Sequence, residues 1–329
     1  MKPKIFIAKP IPEEVEKYLN NYFDCRVWRE RSPIPKSTLL KEVSDIHGLM
    51  IPDGVITEDL LRQANKLRAV SNISVGYDAF DIEAMKAKNV IGTHTPSVLD
   101  ESVADLALGL MLAVSRRIVE SDCAVKRGEW ENTTDNFLGS DVNGSTLGII
   151  GMGRIGEKVT RRATLGFNMD IVYHSRNRKY DVENKYGAIY NELDNLLNKS
   201  DYVLVLLPLS ESTYHFIGKK QFKLMKKGSF FINVSRRPIV DEEALIEALN
   251  NKEILGAGLD VYEEEPVKKD NRLLKIDSVV TTPHIGSATH KTRFRMAMLA
   301  AENLVNIIIH NKPSNVVPEL KGLIRTDNS

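Results

Sequence analysis

The sequence predicts an α/β protein made of two doubly wound parallel-sheet domains. Three observations carry this. Short β-rich runs alternate with helical patterns in two successive series, a glycine-rich loop joins a buried strand to a helix, and 329 residues suffice for two domains of ordinary size. In the first series, Ile5-Phe6-Ile7-Ala8 follows Lys4 as a short apolar run that Lys9 and Pro10 stop. It reads as a first strand, Lys4–Ala8, being too short for the apolar core of a secretory leader. A helix follows Pro12, then come strands Cys25–Trp28 and His47–Ile51, a helix capped by Thr57, and strands Ala69–Ile73 and Val90–Gly92. A long helical pattern from Ser97 to Arg117 joins the two series. It opens on the acidic pair Asp100-Glu101 and carries the small residues Ala104, Ala107 and Gly109, which permit close packing. The second series predicts strands at Leu147–Ile150, Met169–Tyr173, Ala188–Tyr190, Tyr202–Leu207, Ser229–Val234, Gly256–Asp260 and Ser278–Thr281, with helices between. A last amphipathic helix, about Thr289 to His310, places Met296, Leu299, Leu304 and Ile307 on one face.

Composition excludes several function classes. Hydrophobic residues at 42% and charged residues at 27% describe a folded globular chain, not a disordered or disulfide-stapled one. Forty-five basic against 44 acidic residues give a net charge of +1, so no global field draws the chain to nucleic acid or an anionic lipid surface. No apolar run approaches the ~20 residues needed to span a bilayer. Cys25 and Cys123 stand in no metal or redox spacing, and no His/Cys/Asp cluster has ligand spacing; no metal and a reduced, cytoplasmic setting are expected.

The chemistry begins at Gly151-Met152-Gly153-Arg154-Ile155-Gly156. A bare glycine fingerprint is weak, but this one follows a buried strand and opens a helix, the context that gives it meaning. Gly151 permits the tight turn, Gly153 lets backbone approach a pyrophosphate, and Gly156 lets helix pack on strand. The N–H groups of the helix start then face the anion. The bland alternative is a strand-to-helix turn with no ligand. About twenty residues on, a carboxylate would bind a ribose hydroxyl and repel a phosphate. There the chain reads His174-Ser175-Arg176-Asn177-Arg178 instead. Arg176, helped by the Ser175 hydroxyl and by Arg178, suits a phosphate, so NADP(H) is preferred, with NAD(H) as the weaker alternative. A solvated basic turn is the plain alternative.

Three further segments each follow a predicted strand: Asn233-Val234-Ser235-Arg236, Gly258 to Pro266, and Thr282-Pro283-His284-Ile285-Gly286-Ser287. The carboxyl ends of strands form the ligand crevice of such sheets. Taken singly, each charged residue there reads as a surface ion pair or a solvated turn. An Arg, a Glu and a His beside a dinucleotide loop together point to hydride transfer.

With these motifs in order, together with Val75-Gly76-Tyr77-Asp78, Thr95-Pro96, Leu207-Pro208-Leu209, Asp241-Glu242 and Glu265-Pro266, the chain resembles the D-2-hydroxyacid dehydrogenase family over nearly its whole length. Within it, the resemblance is to the glyoxylate/hydroxypyruvate/2-ketogluconate reductase branch. The resemblance implies a Rossmann-type NAD(P)-binding domain at 99–287 and a smaller, flavodoxin-like substrate domain at 1–98 plus 288–329. It implies that NADPH delivers hydride to a small 2-keto acid while His284 donates the proton, Glu265 pairs with His284, and Arg236 holds the substrate carboxylate. Val75 and Gly76 would offer backbone N–H groups to the same carboxylate. Arg154 and Ile155 would do so for the pyrophosphate, Asp260 would bind the nicotinamide carboxamide, and Pro208, Val234, His284 and Gly286 would be further cofactor contacts. A homodimer through the cofactor domain is implied as well. Two alternatives share the fold: a dinucleotide-sensing regulator, and an NAD-linked dehydrogenase such as phosphoglycerate dehydrogenase, which the missing acid at His174 disfavours. One departure is open. The family usually has Gly after the catalytic Arg, where this chain has Arg237 and Pro238; that side chain would be strained, point outward, or add positive charge near an anionic substrate.

Overall fold

The computed structural model of the chain describes residues 1–324 apart from Arg31, Asp53 and Asn132, so the last five residues of the expected 288–329 segment lie outside the described residues. Packing divides the chain into two compact units, Met1–Leu99 with the segment from Thr289 onward, and Asp100–Ala288.

The smaller unit alternates β1 (Lys4–Ile7), α1 (Glu13–Asn20), β2 (Asp24–Val27), α2 (Lys36–Glu42), β3 (Gly48–Ile51), α3 (Glu58–Gln63), β4 (Ala69–Asn72), α4 (Ile82–Ala87) and β5 (Ile91–Thr93). All its strand pairs are parallel, in the order β2-β1-β3-β4-β5, which is the flavodoxin-like winding. β3 and β4 are buried at every position, because helices cover both faces of the sheet. Local chemistry sets the helix starts: the Thr57 hydroxyl accepts the Leu60 N–H at 3.3 Å, and the Asp81 carboxylate accepts the Ala84 N–H at 3.0 Å. The chain's last helix, His290–Ile308, packs on this unit and buries Met296, Leu304 and Ile307 as the sequence predicts; Leu299 is half-buried.

The larger unit opens with α5 (Asp100–Ser115) and α6 (Ile118–Lys126). The helical pattern expected from Ser97 to Arg117 is α5, and α6 follows it as a further helix. Arg117 adopts a left-handed conformation, φ +52°, which ends the first and turns the chain into the second. There follow β6 (Thr146–Ile150), α7 (Arg154–Phe167), β7 (Asp170–His174), α8 (Tyr180–Tyr186), β8 (Ile189–Tyr190), α9 (Leu193–Lys199) and β9 (Tyr202–Val205). Then come α10 (Lys219–Leu224), β10 (Phe230–Asn233), α11 (Glu242–Asn250), β11 (Gly256–Leu259) and β12 (Val279–Thr281); His290–Ile308 is α12.

The seven parallel strands run β12-β11-β10-β9-β6-β7-β8. Counted from β6 this is the 3-2-1-4-5-6 order of a Rossmann sheet with one strand added, and the winding reverses between β6 and β9. β9, β10 and β11 are buried along their whole length, so they read as unbroken apolar runs rather than alternating ones. Under β10, Phe231 meets Phe222 edge-to-face with centroids 5.2 Å apart, a pair whose truncation to alanine costs about 3–5 kcal/mol in such cores. In this unit the chemistry-bearing loops leave from the carboxyl ends of β6, β7, β9, β10, β11 and β12.

Candidate active site

At the end of β6, Gly151 takes φ +106°, a conformation that side chains resist, and a Cβ there would stand 2.7 Å from the Leu206 carbonyl oxygen. A Cβ at Gly156 would stand 2.9 Å from the Gly151 oxygen, while at Gly153 nothing lies within 4 Å. The turn is thus closed on its protein side and open at its middle glycine. Arg154 and Ile155 open α7, where N–H groups have no partner within the helix. These features fit a dinucleotide pyrophosphate. The Arg154 guanidinium is engaged elsewhere, donating to the buried Asp100 carboxylate at 3.0 Å. In the sequence Asp100 reads only as a helix-start acid, and this clamp is not visible there.

Beyond β7, His174 bonds the Asn191 carbonyl at 3.1 Å, and the Ser175 hydroxyl donates to the Asn177 carbonyl at 2.7 Å. Arg178, expected to assist a phosphate, is instead tied to Glu183 at 2.7 and 3.1 Å and lies over the Tyr180 and Tyr190 rings. Arg176 is exposed and makes no hydrogen bond or ion pair among the described residues. Among the described residues it and Lys179 are the cations of this turn left available to a ligand. Pro208 follows β9, with its carbonyl accepting the Thr213 hydroxyl at 2.8 Å.

Past β10, the Asn233 side-chain carbonyl accepts both the N–H and the hydroxyl of Ser235, at 3.1 and 2.7 Å, and so shapes the turn that presents Arg236. Val234 is buried within it. Arg237 opens a short 3-10 turn and is absent from the left-handed residues, so no backbone strain attends this departure from the family. Its Nε lies 3.8 Å from Glu265 Oε1.

Past β11 stands Asp260, 1% exposed. Its carboxylate accepts the Thr282 hydroxyl and the Ile285 N–H, each at 2.7 Å, and the Gly286 N–H at 2.8 Å. The carboxylate assigned above to a carboxamide contact therefore grips the loop on either side of His284. That loop is strained, with His284 at φ +52°, and the three bonds offset the strain. His284 Nδ1 bonds Glu265 Oε2 at 2.8 Å; the carboxylate accepts, which leaves the imidazole Nε2 for chemistry. Glu265 Oε1 also accepts the Tyr262 N–H at 3.1 Å.

The charges follow from these contacts. The bond from Glu265 raises His284 above its ordinary 6.5, and the Glu265 and Asp260 charges add to it; burial and the Arg236 charge oppose. Burial pushes the Glu265 carboxyl up, but the bonds from His284 and the Tyr262 N–H, with the charges of His284 and Arg237, hold it below its usual range. Burial pushes the Tyr262 hydroxyl up to about 12, so it stays a neutral donor to the Thr282 and Leu259 carbonyls at 2.9 and 3.2 Å.

In the smaller unit, the loop after β4 is held through three successive carbonyls: Thr95 N–H donates to Ser74 O at 2.9 Å, His94 Nδ1 to Val75 O at 2.8 Å, and Asn72 Nδ2 to Gly76 O at 2.5 Å. The N–H groups of Val75 and Gly76 meet no backbone acceptor among the described residues, an arrangement suited to an anion. Asn72 and His94 were not among the residues the sequence singled out. Their position at strand ends of a doubly wound sheet was the available signal. Among the described residues no group of three or more His, Cys, Asp or Glu is placed to hold a metal, and no helix is long and apolar enough to cross a membrane.

Residues 108–286 match the family model for the NAD-binding domain of D-isomer specific 2-hydroxyacid dehydrogenases. Glyoxylate/hydroxypyruvate reductase B of Enterobacter sp. (strain 638) is 44% identical over 318 residues, 96% of this chain and 98% of that one. A crystal structure of a Thermus thermophilus protein aligns with TM-score 0.90 and 37% identity over 95% of this chain and 99% of that one. The NADPH-dependent glyoxylate/hydroxypyruvate reductase of Sinorhizobium meliloti, solved with NADP and malonate, aligns with TM-score 0.86 and 29% identity over the full length of both. The chain therefore belongs to the D-2-hydroxyacid dehydrogenase family, oxidoreductases that use a nicotinamide dinucleotide, and stands in its glyoxylate/hydroxypyruvate reductase branch.

Proposed function

We propose that this chain reduces a small 2-keto acid, namely glyoxylate, hydroxypyruvate or 2-ketogluconate, to the D-2-hydroxy acid with NADPH as the hydride donor. The observation that carries the reading is the 2.8 Å bond between His284 and a Glu265 carboxylate held below its usual pKa, on a loop fixed by Asp260. The bound dinucleotide supplies hydride. His284, kept protonated by Glu265, donates its Nε2 proton to the carbonyl oxygen as charge develops there; in the oxidative direction the neutral ring takes that proton back. Arg236 holds the substrate carboxylate and stabilises the developing oxyanion. Val75 and Gly76 act as carboxylate donors through their N–H groups. Asp260 binds the nicotinamide carboxamide and, through the loop it holds, keeps His284, Ile285 and Gly286 in register.

On the cofactor side, the N–H groups of Arg154 and Ile155 hold the pyrophosphate at the Gly151, Gly153 and Gly156 turn, while Pro208, Val234, His284 and Gly286 make further cofactor contacts. Ser175 and Arg176 take the 2′-phosphate. The absence of a carboxylate at the end of β7 and the unpaired guanidinium of Arg176 support NADP(H) over NAD(H). A cytoplasmic homodimer through the larger unit completes the reading. It is supported by the free thiols of Cys25 and Cys123 and by Ile118, Val119, Val125 and Trp130, apolar side chains about half exposed on and after α6.

The test is steady-state oxidation of NADPH and, in parallel, NADH with each of the three acceptors. Turnover with NADPH preferred is expected. Measurable NADPH binding with no turnover on any acceptor would overturn the reading in favour of a dinucleotide sensor.

A further inference from the structure

One carboxylate in the larger unit serves two cations. Glu265 Oε2 accepts the His284 Nδ1–H at 2.8 Å, while Oε1 accepts the Tyr262 N–H at 3.1 Å and faces Arg237 Nε at 3.8 Å. The carboxylate is 17% exposed, and both cations that share it are partly open to solvent, Arg237 at 45% and His284 at 47%, one on each carboxylate oxygen. Nothing in the turn forces Arg237 there: its backbone is unstrained, and Pro238 and Ile239 continue the same short 3-10 turn. The other charges around His284 are Asp260 at the end of β11 and Arg236 beside Arg237. Near them Glu263 faces His215 at 3.9 Å.

We propose that Arg237 is a positioning residue which, by sharing the Glu265 carboxylate with His284, sets the pH at which His284 gives up its proton. The inference rests on the roles assigned above to Glu265 and His284. A carboxylate favours imidazolium by attraction, and a second cation on the same carboxylate subtracts from that attraction in two ways. It repels the imidazolium directly, and it draws the Oε1 side of the carboxylate toward itself. With Arg237 made neutral, Glu265 serves His284 alone, the Tyr262 N–H still anchors it, and His284 keeps its proton to higher pH. Because the arginine is partly exposed, the change expected is about half a pH unit.

The experiment compares wild type, Arg237→Gln and Arg237→Lys by the pH dependence of kcat/KM for keto-acid reduction at saturating NADPH. In the same proteins, NMR titration of the His284 ring reads its proton without turnover. The expected result is a basic limb and a His284 titration both about half a unit higher in Arg237→Gln, with Arg237→Lys close to wild type. Adding Glu265→Gln should shrink the effect of Arg237→Gln, since the shared carboxylate is gone. An unmoved titration in Arg237→Gln, or a fall in rate in both variants with the limb in place, overturns the proposal. If no acceptor is reduced while the ring titration still moves as stated, the keto-acid reading fails and the inference about Arg237 stands.

Discussion

The two ends of the candidate site are built on opposite principles. Around His284 every group is held: Asp260 by three bonds, Glu265 by two and a neighbouring guanidinium, Ser235 by two from its amide and hydroxyl to Asn233. In the turn after β7 the guanidinium suited to a phosphate, Arg176, is exposed and has nothing holding it among the described residues, while its neighbour Arg178 is locked to Glu183. The difference follows from what each end must do. A proton donor and an oxyanion clamp act only if they stand in place before charge develops, because reorganising them during the reaction would restore the barrier they lower. A group that selects between two cofactors needs only to gain more from one ligand than from the other, and it can order itself on binding. Substitutions at the first end should cost rate, and at the second they should cost discrimination.

The largest effect tests the held end. His284→Ala should lower kcat for reduction by about 10²–10⁴-fold, the usual contribution of a positioned acid, with NADPH affinity near wild type. Loss of NADPH binding instead would make His284 a structural residue. On the proposed role, Arg236→Ala takes away the charged contact to the substrate carboxylate and should reduce kcat/KM by at least about 100-fold, with KM for the keto acid rising. An unchanged efficiency would dismiss its role. At the unheld end, Arg176→Ala should weaken NADPH by about 10–100-fold and leave NADH within about twofold, since only NADPH carries the phosphate. Equal losses for both cofactors, read by fluorescence titration, would erase the contrast between the two ends.

The same contrast governs what could be read from sequence. The alternation of strands and helices, the glycine loop and the Arg, Glu and His after strand ends were legible, because each rests on local pattern or on the rule that strand ends carry ligands. The strand orders of both sheets match the doubly wound class expected. What was not legible is the set of long-range bonds that hold those residues. Asp260 reaching 25 and 26 residues ahead to Ile285 and Gly286, Asp100 reaching Arg154, and His94 reaching Val75 leave no periodic signature. Arg178 shows the converse, a residue whose type suits a phosphate but whose partner Glu183 claims it.

The smallest expected effect is the most informative about how the held end works. His284 lies above its ordinary 6.5 chiefly because it bonds Glu265, and burial and Arg236 would otherwise push it down. In Glu265→Gln the bond loses its charge, so the imidazole should release its proton at lower pH, by about one unit. In the proposed mechanism reduction needs the protonated ring, and its rate should therefore fall off at lower pH than in wild type; oxidation needs the neutral ring and should extend to lower pH. Stability carries the same sign. A folded pKa raised above the unfolded one contributes stability in full below the unfolded value and loses it as pH rises through the folded value. Glu265, held below its usual range, contributes above its unfolded value and loses it as pH falls. Glu265→Gln should thus narrow its stability deficit against wild type at both extremes of pH and show it most between them. Thermal melts across pH, read beside the two rate profiles, check this: a deficit that grows toward alkaline pH, or a reduction limb that moves upward, would mean that Glu265 does not hold the proton on His284.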